Sequence, residues 1–394
     1  YEMEKKYKNL KISLFEKNNY FGGRILTMKK NIYNKDYQYE MGASRFNNNH
    51  KLMIKLIKEL KLDKNIVKIS GKSDIYPSID YDFKKKFKNK NSFIYINKVI
   101  EYASKEKKED IIKYTFIEYA KKILKKDEIK FLLDFSGYYG ELIYENIYDS
   151  LKLFKKGIRD DINYFILKSG LSSICEKLIK KIKSKNLYLN QELMKIKKFH
   201  NTFLLNINGN IYQTRNLILA LPKPALTKIE YLNPYKKYLN AISCKPLCRI
   251  YSIFPDLWFK ELNKCTTNNK LRYIIPIDKK SGLIMISYTD SKYAIYWKKY
   301  LNLPKKILDK KILDELKKTF KMDIKKPIYN SICYWNCGVG YWKANIDSEI
   351  YIKKIAKLNK NDNLYIIGEN YSNNQGWNEG ALETVNDLLK NYKF

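Results

Sequence analysis

The chain has 394 residues, enough for two or three domains or one large domain with a long insertion. Hydrophobic residues at 45% and aromatics at 14% exclude global disorder, and no apolar run approaches the roughly 20 residues a helical membrane span requires. The formal net charge is +36, about one excess positive charge per eleven residues, carried by 71 lysines and only six arginines. Lysine, asparagine, isoleucine and tyrosine are abundant together, which fits either an A+T-rich genome (a large DNA virus or a protist) or a polyanion-binding surface. The six cysteines, at 175, 244, 248, 265, 333 and 337, form no CxxC pair. With only His50 and His200 beside them, no metal site is expected. The thiols read as reduced and the compartment as cytoplasm-like, with a virion as the alternative.

In chain order, Lys11–Phe15 reads as a short strand closed by Glu16, followed by a loop, Asn18–Arg24. Gly42–Arg45 is a turn. Lys51–Leu62 carries apolar residues at helical spacing. Residues 73–91 are lysine-rich and irregular, and 97–155 are largely helical. Gly170–Lys185 is an amphipathic helix. Strands follow at Leu187–Leu189, Leu193–Lys197, Thr202–Ile207 and Ile211–Gln213, the last two joined by an Asn208-Gly209 hairpin turn. Asn216–Leu221 is a buried strand stopped by Pro222 and Pro224. Further strands are expected at 247–254, 271–276, 282–288 and Leu364–Ile367, with helices at Ile307–Phe320 and Gly380–Asn391. Strands and helices alternate at both ends, which argues an α/β fold with an inserted substrate region.

Three segments carry candidate chemistry. The first is Leu14-Phe15-Glu16 followed by Gly22-Gly23-Arg24. An acidic residue closing a strand can accept both hydroxyls of a ribose, two glycines let backbone approach a pyrophosphate, and an arginine neutralises it. A tight turn after an edge strand is the other reading. The second is Glu40-Met41-Gly42-Ala43-Ser44-Arg45, a turn of small residues able to lie against a flat ring, or an ordinary loop. The third is Leu364 to Glu369, with Gly376-Trp377-Asn378-Glu379-Gly380-Ala381 after it: a strand, a loop and a helix N-terminus that can hold partial negative charge, or a plain connection.

Taken together and in this order, the three segments resemble the flavin-dependent amine oxidase superfamily, which includes monoamine and polyamine oxidases, L-amino-acid oxidases, flavin-type histone lysine demethylases and related desaturases. The resemblance implies a Rossmann-like FAD-binding domain over 1–72, 166–240 and 355–394, and a mixed-sheet and helical substrate domain over 73–165 and 241–354. It implies cofactor contacts from Glu16 (adenosine ribose), Gly22, Gly23 and Arg24 (pyrophosphate), Leu193 (adenine), and Gly368 and Glu369 (pyrophosphate and ribityl). Gly42, Ala43, Ser44, Arg45, Gly380 and Ala381 would flank the isoalloxazine. By the same resemblance Tyr341, with Trp342 as the alternative, and Trp377 would be the two aromatics that sandwich a substrate amine, and the reaction would be hydride transfer from the amine-bearing carbon to flavin N5 with O2 as acceptor.

Two features depart from the family, and a third falls outside the chain. The first strand and GxGxxG turn would precede Tyr1; either they lie upstream or half of the nucleotide site is missing. Arg249 stands where a lysine near flavin N5 is common, with Lys245 a weaker candidate for that place. Gly340 stands where covalent members carry a flavin-linking cysteine, so FAD is expected to be non-covalent. A +36 surface disfavours polyamines and basic peptides, and no acidic cluster is legible near Tyr341 or Trp377, so neutral or anionic substrates are expected. The alternative function is a catalytically reduced scaffold that binds nucleic acid through the clusters Lys84–Lys90, Lys180–Lys185 and Lys305–Lys326. A homo-oligomer is compatible with either.

Overall fold

A computed structural model describes residues 1–83, 85–88, 90–159 and 162–394. It is a mixed α/β protein of several small sheets, one six-stranded sheet and many short helices.

The six-stranded sheet organises the middle of the chain. Its order is Tyr329–Trp342, Ile242–Ile253, Leu283–Asp290, Tyr273–Asp278, Cys265–Thr266 and Asp74–Ile75, antiparallel except for the last pair. Period-two alternation decides its faces. Cys248, Ile250, Ile274, Ile284 and Ile286 point to one side, where the helices Ser291–Lys298 and Lys305–Lys317 cover them with Ala294, Trp297, Ile312 and Leu316. Tyr251, Ile253, Leu283 and Met285 point to the other side, against Tyr37 and Tyr39 of the hairpin Thr27–Ile32/Lys35–Glu40. The helices between Ser92 and Lys156 pack around Phe116, Phe131, Phe135 and Phe154 and meet the sheet at Tyr273.

The two longest strands contain an irregularity that shapes the site. Pro246 has no N–H to give to the ladder. Pairing jumps from Lys245↔Val339 to Leu247↔Trp335, so Asn336, Cys337 and Gly338 bulge out opposite Pro246. The bulge brings Cys337 to Cys244, and the two form a disulfide with Cα atoms 5.2 Å apart. This corrects the expectation that all thiols are reduced. The partners are 93 residues apart, so linear spacing gave no sign of them.

The N-terminal and C-terminal segments each pair in parallel with the middle of the chain, Leu14–Phe15 with Leu187–Tyr188 and Leu364–Ile366 with Leu217–Leu219. The meander Leu193–Phe199, Thr202–Ile207, Asn210–Thr214 turns at Asn208-Gly209, both with positive φ, as the hairpin signal requires. Several strands are not legible in the sequence, among them Tyr329–Trp342, the hairpin Thr27–Ile32/Lys35–Glu40, Ile66–Ile69 and Tyr164–Leu167. In Tyr329–Trp342 both faces are partly covered, so its aromatics show no alternation, whereas Lys29–Asn31 are exposed in succession. Among the described residues no helix is long and apolar enough to cross a membrane.

Candidate flavin and substrate site

Arg24 closes the first candidate segment and reaches residues from three parts of the chain. Its guanidinium pairs with Glu369 at 2.7 Å and donates to the Gly338 carbonyl on the bulge at 2.6 Å. Its own carbonyl accepts from the Ala43 N–H at 2.9 Å. Gly42 lies so close that a Cβ there would fall 1.8 Å from that carbonyl, so only glycine fits. Glu369 also accepts from the Gly376 N–H at 2.6 Å and the Asn370 amide at 2.7 Å. Gly368 is tied to the terminal helix through the Thr384 hydroxyl. The segments around Arg24, Gly42, Gly368 and Gly376 therefore form one hydrogen-bonded cluster.

Glu16 follows the strand Leu14–Phe15, and Leu193 opens the strand Leu193–Phe199 of a separate sheet. The Glu16 carboxylate accepts from the Asn18 N–H and amide, both at 2.8 Å, and its carbonyl accepts from Gln191. Gly22 and Gly23 take positive φ between them and Arg24. A Cβ at Gly23 or Gly368 would meet no atom within 4 Å, so both backbones border open space. A carboxylate, an arginine and two half-buried glycine backbones that border open space fit the ribose and pyrophosphate of a dinucleotide.

Arg249 is buried. It donates to the Glu40 carbonyl at 3.0 Å and the Ser44 hydroxyl at 3.3 Å and lies 4.8 Å from the Tyr288 ring centre. Burial opposes its charge, but Tyr251 and Tyr288 hold it protonated. Its Nε has no partner. It thus fixes the Glu40–Arg45 turn and carries a charge that cannot shuttle protons.

Arg45 is half-buried among rings. Its guanidinium lies 4.6 Å from the Tyr164 ring, 5.8 Å from Trp377 and 6.0 Å from Tyr138, whose hydroxyl it bonds. Trp377 stacks with Tyr164 at 6.3 Å and meets His50 edge-on at 4.6 Å. Burial first, and Arg45 second, push the His50 pKa down to about 4. Trp377 begins the terminal helix, whose Glu379 binds the N–H groups of Leu52 and Met53. Gly380 meets the Ser372–Asn374 loop so closely that a Cβ would clash, and Ala381 follows on the same turn.

Tyr341, opposite Ser243 on the sheet, is fully buried. Its nearest ring is Tyr144 at 6.4 Å, and its hydroxyl lies against Gly140 and the Glu141 carboxyl. Tyr341 and Trp377 do not form a ring pair among the described residues. They are linked through Arg45, which contacts Trp377 and acts electrostatically on Glu141. Trp342, the alternative to Tyr341, is committed to the core, with its indole N–H on the Ser372 carbonyl. Lys245 lies 3.8 Å above the Tyr144 ring and has its pKa lowered by burial and by Lys343.

An acidic cluster does stand beside Tyr341, which corrects the sequence reading. Glu141, Glu145 and Asp290 are all buried there. Glu141 is 200 positions from Tyr341 in sequence, and only the docking of Tyr139–Ile143 on the end of strand Leu283–Asp290 brings the two together. Of the lysine clusters, Lys305, Lys311 and Lys318 are in ion pairs with Asp309 and Glu315, while Lys180, Lys181, Lys183 and Lys185 are exposed. Lys84 and Asn89 lie outside the described residues.

Comparison with known proteins decides the family. Residues 5–384 match the flavin containing amine oxidoreductase family. The chain belongs to that family. It is 30% identical over 123 residues to the uncharacterized protein R188 of Acanthamoeba polyphaga mimivirus, covering 27% of this chain and 24% of the relative. It is 24% identical over 216 residues to Aplysianin-A of Aplysia kurodai, covering 45% of this chain and 39% of the relative. The matches thus span well under half of either relative. The viral relative fits the compositional suggestion of a viral source.

Proposed function

We propose that the chain is an FAD-dependent amine oxidase. The observation that carries this reading is the Arg24–Glu369 joint, where the family's N-terminal and C-terminal cofactor segments close on one another. In this reading the two parallel strand pairs belong to a Rossmann-like half, with Glu16, Arg24, Leu193 and Glu369 holding the nucleotide portion. Gly42–Arg45 and Trp377–Ala381 border the ring. Bound there, FAD supplies a two-electron acceptor for the hydride of an amine-bearing carbon, with O2 as the final acceptor. The resulting imine hydrolyses to an aldehyde and ammonia.

The chain's own residues orient and dry the site. Tyr341 and Trp377 exclude water along the amine path and offer ring faces to nitrogen. Arg249 locks the Glu40–Arg45 turn through a carbonyl and a hydroxyl. FAD is held non-covalently in this reading, because Gly340 precedes Tyr341 and the nearby Cys337 is already bonded to Cys244. The test is anaerobic mixing of the flavin-loaded protein with primary amines. Loss of the oxidised-flavin absorbance is expected, and an unchanged spectrum with every amine counts against the reading.

A further inference from the structure

We propose that Glu141 and Asp290 form a carboxyl pair that removes the proton from the substrate's ammonium nitrogen. This rests on the amine-oxidation reading and adds the group that makes the amine reactive. Amines arrive largely protonated at neutral pH, with conjugate-acid values of about 10 for alkyl ammonium groups. A protonated nitrogen has no lone pair to assist departure of the hydride. The site therefore needs an acceptor for that proton.

The geometry supplies one. The Tyr139 N–H donates to Asp290 Oδ2 at 3.1 Å, which seats the short helix Tyr139–Ile143 on the strand end and turns Glu141 toward Asp290. Glu141 is 7% exposed and Asp290 8%. Each keeps one carboxyl oxygen with no hydrogen-bond partner, Oε2 of Glu141 and Oδ1 of Asp290. The Ser291 hydroxyl beside Asp290 is unpaired as well and can serve Oδ1, but Glu141 Oε2 is left without a donor; buried polar atoms are nearly always paired, so this oxygen points to a missing one. An ammonium group offers three donors, and the Tyr341 hydroxyl lies beside Glu141 as a further polar partner.

The groups around the pair explain why it can take a proton. Glu141 faces Asp290, the Tyr341 hydroxyl and, at longer range, Arg45. Asp290 faces Ser291, Arg272 and the N–H groups of Tyr139 and Gly140. Asp290 and Lys292 both act on the neighbouring Tyr144, in opposite senses. Glu145 adds negative charge behind Glu141, with Asp149 and Lys152 beyond it. Arg272 is itself occupied by the Leu133, Asp134 and Ser136 carbonyls. Burial first, then the charge of Asp290, pushes the Glu141 carboxyl well up, and burial raises Asp290 as well. Two buried carboxyls that repel each other share one proton and accept another only in exchange for charge relief. In the step, an N–H bond of R–NH3+ breaks, an O–H bond forms on the ionised carboxyl, and no electrons move.

The experiment uses the flavin-loaded protein and the variants Glu141→Gln and Asp290→Asn. Anaerobic flavin bleaching is followed across pH with n-butylamine, benzylamine, putrescine and L-leucine. Wild type is expected to be bleached at neutral pH, and each variant to lose tenfold or more there. Each variant should recover as pH approaches about 10, where the amine is neutral in solution. In parallel, infrared difference titration of wild type should show a protonated-carboxyl band near neutral pH that Glu141→Gln removes. Variant profiles that superimpose on wild type, or absence of that band, overturn the pair. Wild type that no amine bleaches at any pH overturns the amine-oxidation reading, and the pair's role with it.

Discussion

Arg24 and Glu369 meet at 2.7 Å, joining the loop after the first strand to the strand end near the C-terminus. Glu369 is buried and also holds the Gly376 N–H, so the pair fixes the entry to the terminal helix as well as the Arg24 loop. Charge-assisted hydrogen bonds of this kind contribute about 1.5–3 kcal/mol. Arg24→Ala and Glu369→Gln should each weaken FAD retention by roughly ten- to hundredfold. Equilibrium titration with FAD, read by flavin fluorescence, checks this; unchanged affinity in both variants would remove Arg24 and Glu369 from the cofactor site.

His50 gives a pH signature. Its pKa is pushed from 6.5 down to about 4 by burial and by Arg45. The unfolded chain takes up that proton near 6.5 and the folded chain does not, so stability falls as pH drops from about 6.5 to about 4. The loss approaches about 3 kcal/mol for this group. Glu141 and Asp290 act in the opposite sense: their raised values stabilise the fold at low pH and cost stability as pH rises past the ordinary carboxylate range. NMR titration should show one of the two histidines still neutral at pH 5, with His200→Gln assigning it. His50→Asn should flatten the acid limb of a thermal-stability profile.

The disulfide predicts a thiol count. Denatured protein without reductant should titrate four thiols per chain, Cys175, Cys248, Cys265 and Cys333. Six would mean that Cys244 and Cys337 are free. Because the bond closes a loop of 93 residues, Cys244→Ser with Cys337→Ser should lower stability by about 2–4 kcal/mol. Denaturant unfolding with and without reductant checks it.

Lys223 should be the most reactive amine. Burial first, then Lys343 and Lys245, pushes its pKa down to about 8, and its ammonium donates to the Ile242 carbonyl at 2.7 Å. Limited acetylation at pH 8, read by peptide mass spectrometry, should modify Lys223 ahead of the surface lysines. A flat distribution over the chain would contradict this electrostatic picture.

The sequence was most informative where a local pattern is sufficient. Gly22-Gly23-Arg24 and Gly368-Glu369 stand out in the sequence as short glycine-bearing runs in a lysine-rich chain, and the structure joins them through Arg24 and Glu369. The Asn208-Gly209 hairpin and the terminal helix followed from turn chemistry and periodicity. What could not be read depends on distant partners. Cys244 reaches Cys337 only through the bulge opposite Pro246, and Glu141 reaches Tyr341 only through a helix docked on Asp290. The family resemblance places Arg45 beside the isoalloxazine, but its packing against Tyr138, Tyr164 and Trp377 is a tertiary fact. Thirty-five tyrosines give no signal of which ones converge.

The most direct measurement is the absorption spectrum of the purified protein, followed by acid precipitation. An oxidised-flavin band whose chromophore passes into the supernatant is the result expected of non-covalent FAD in the Arg24–Glu369 site. A colourless protein that takes up no FAD on reconstitution would contradict the account, and so would a flavin that stays with the precipitate.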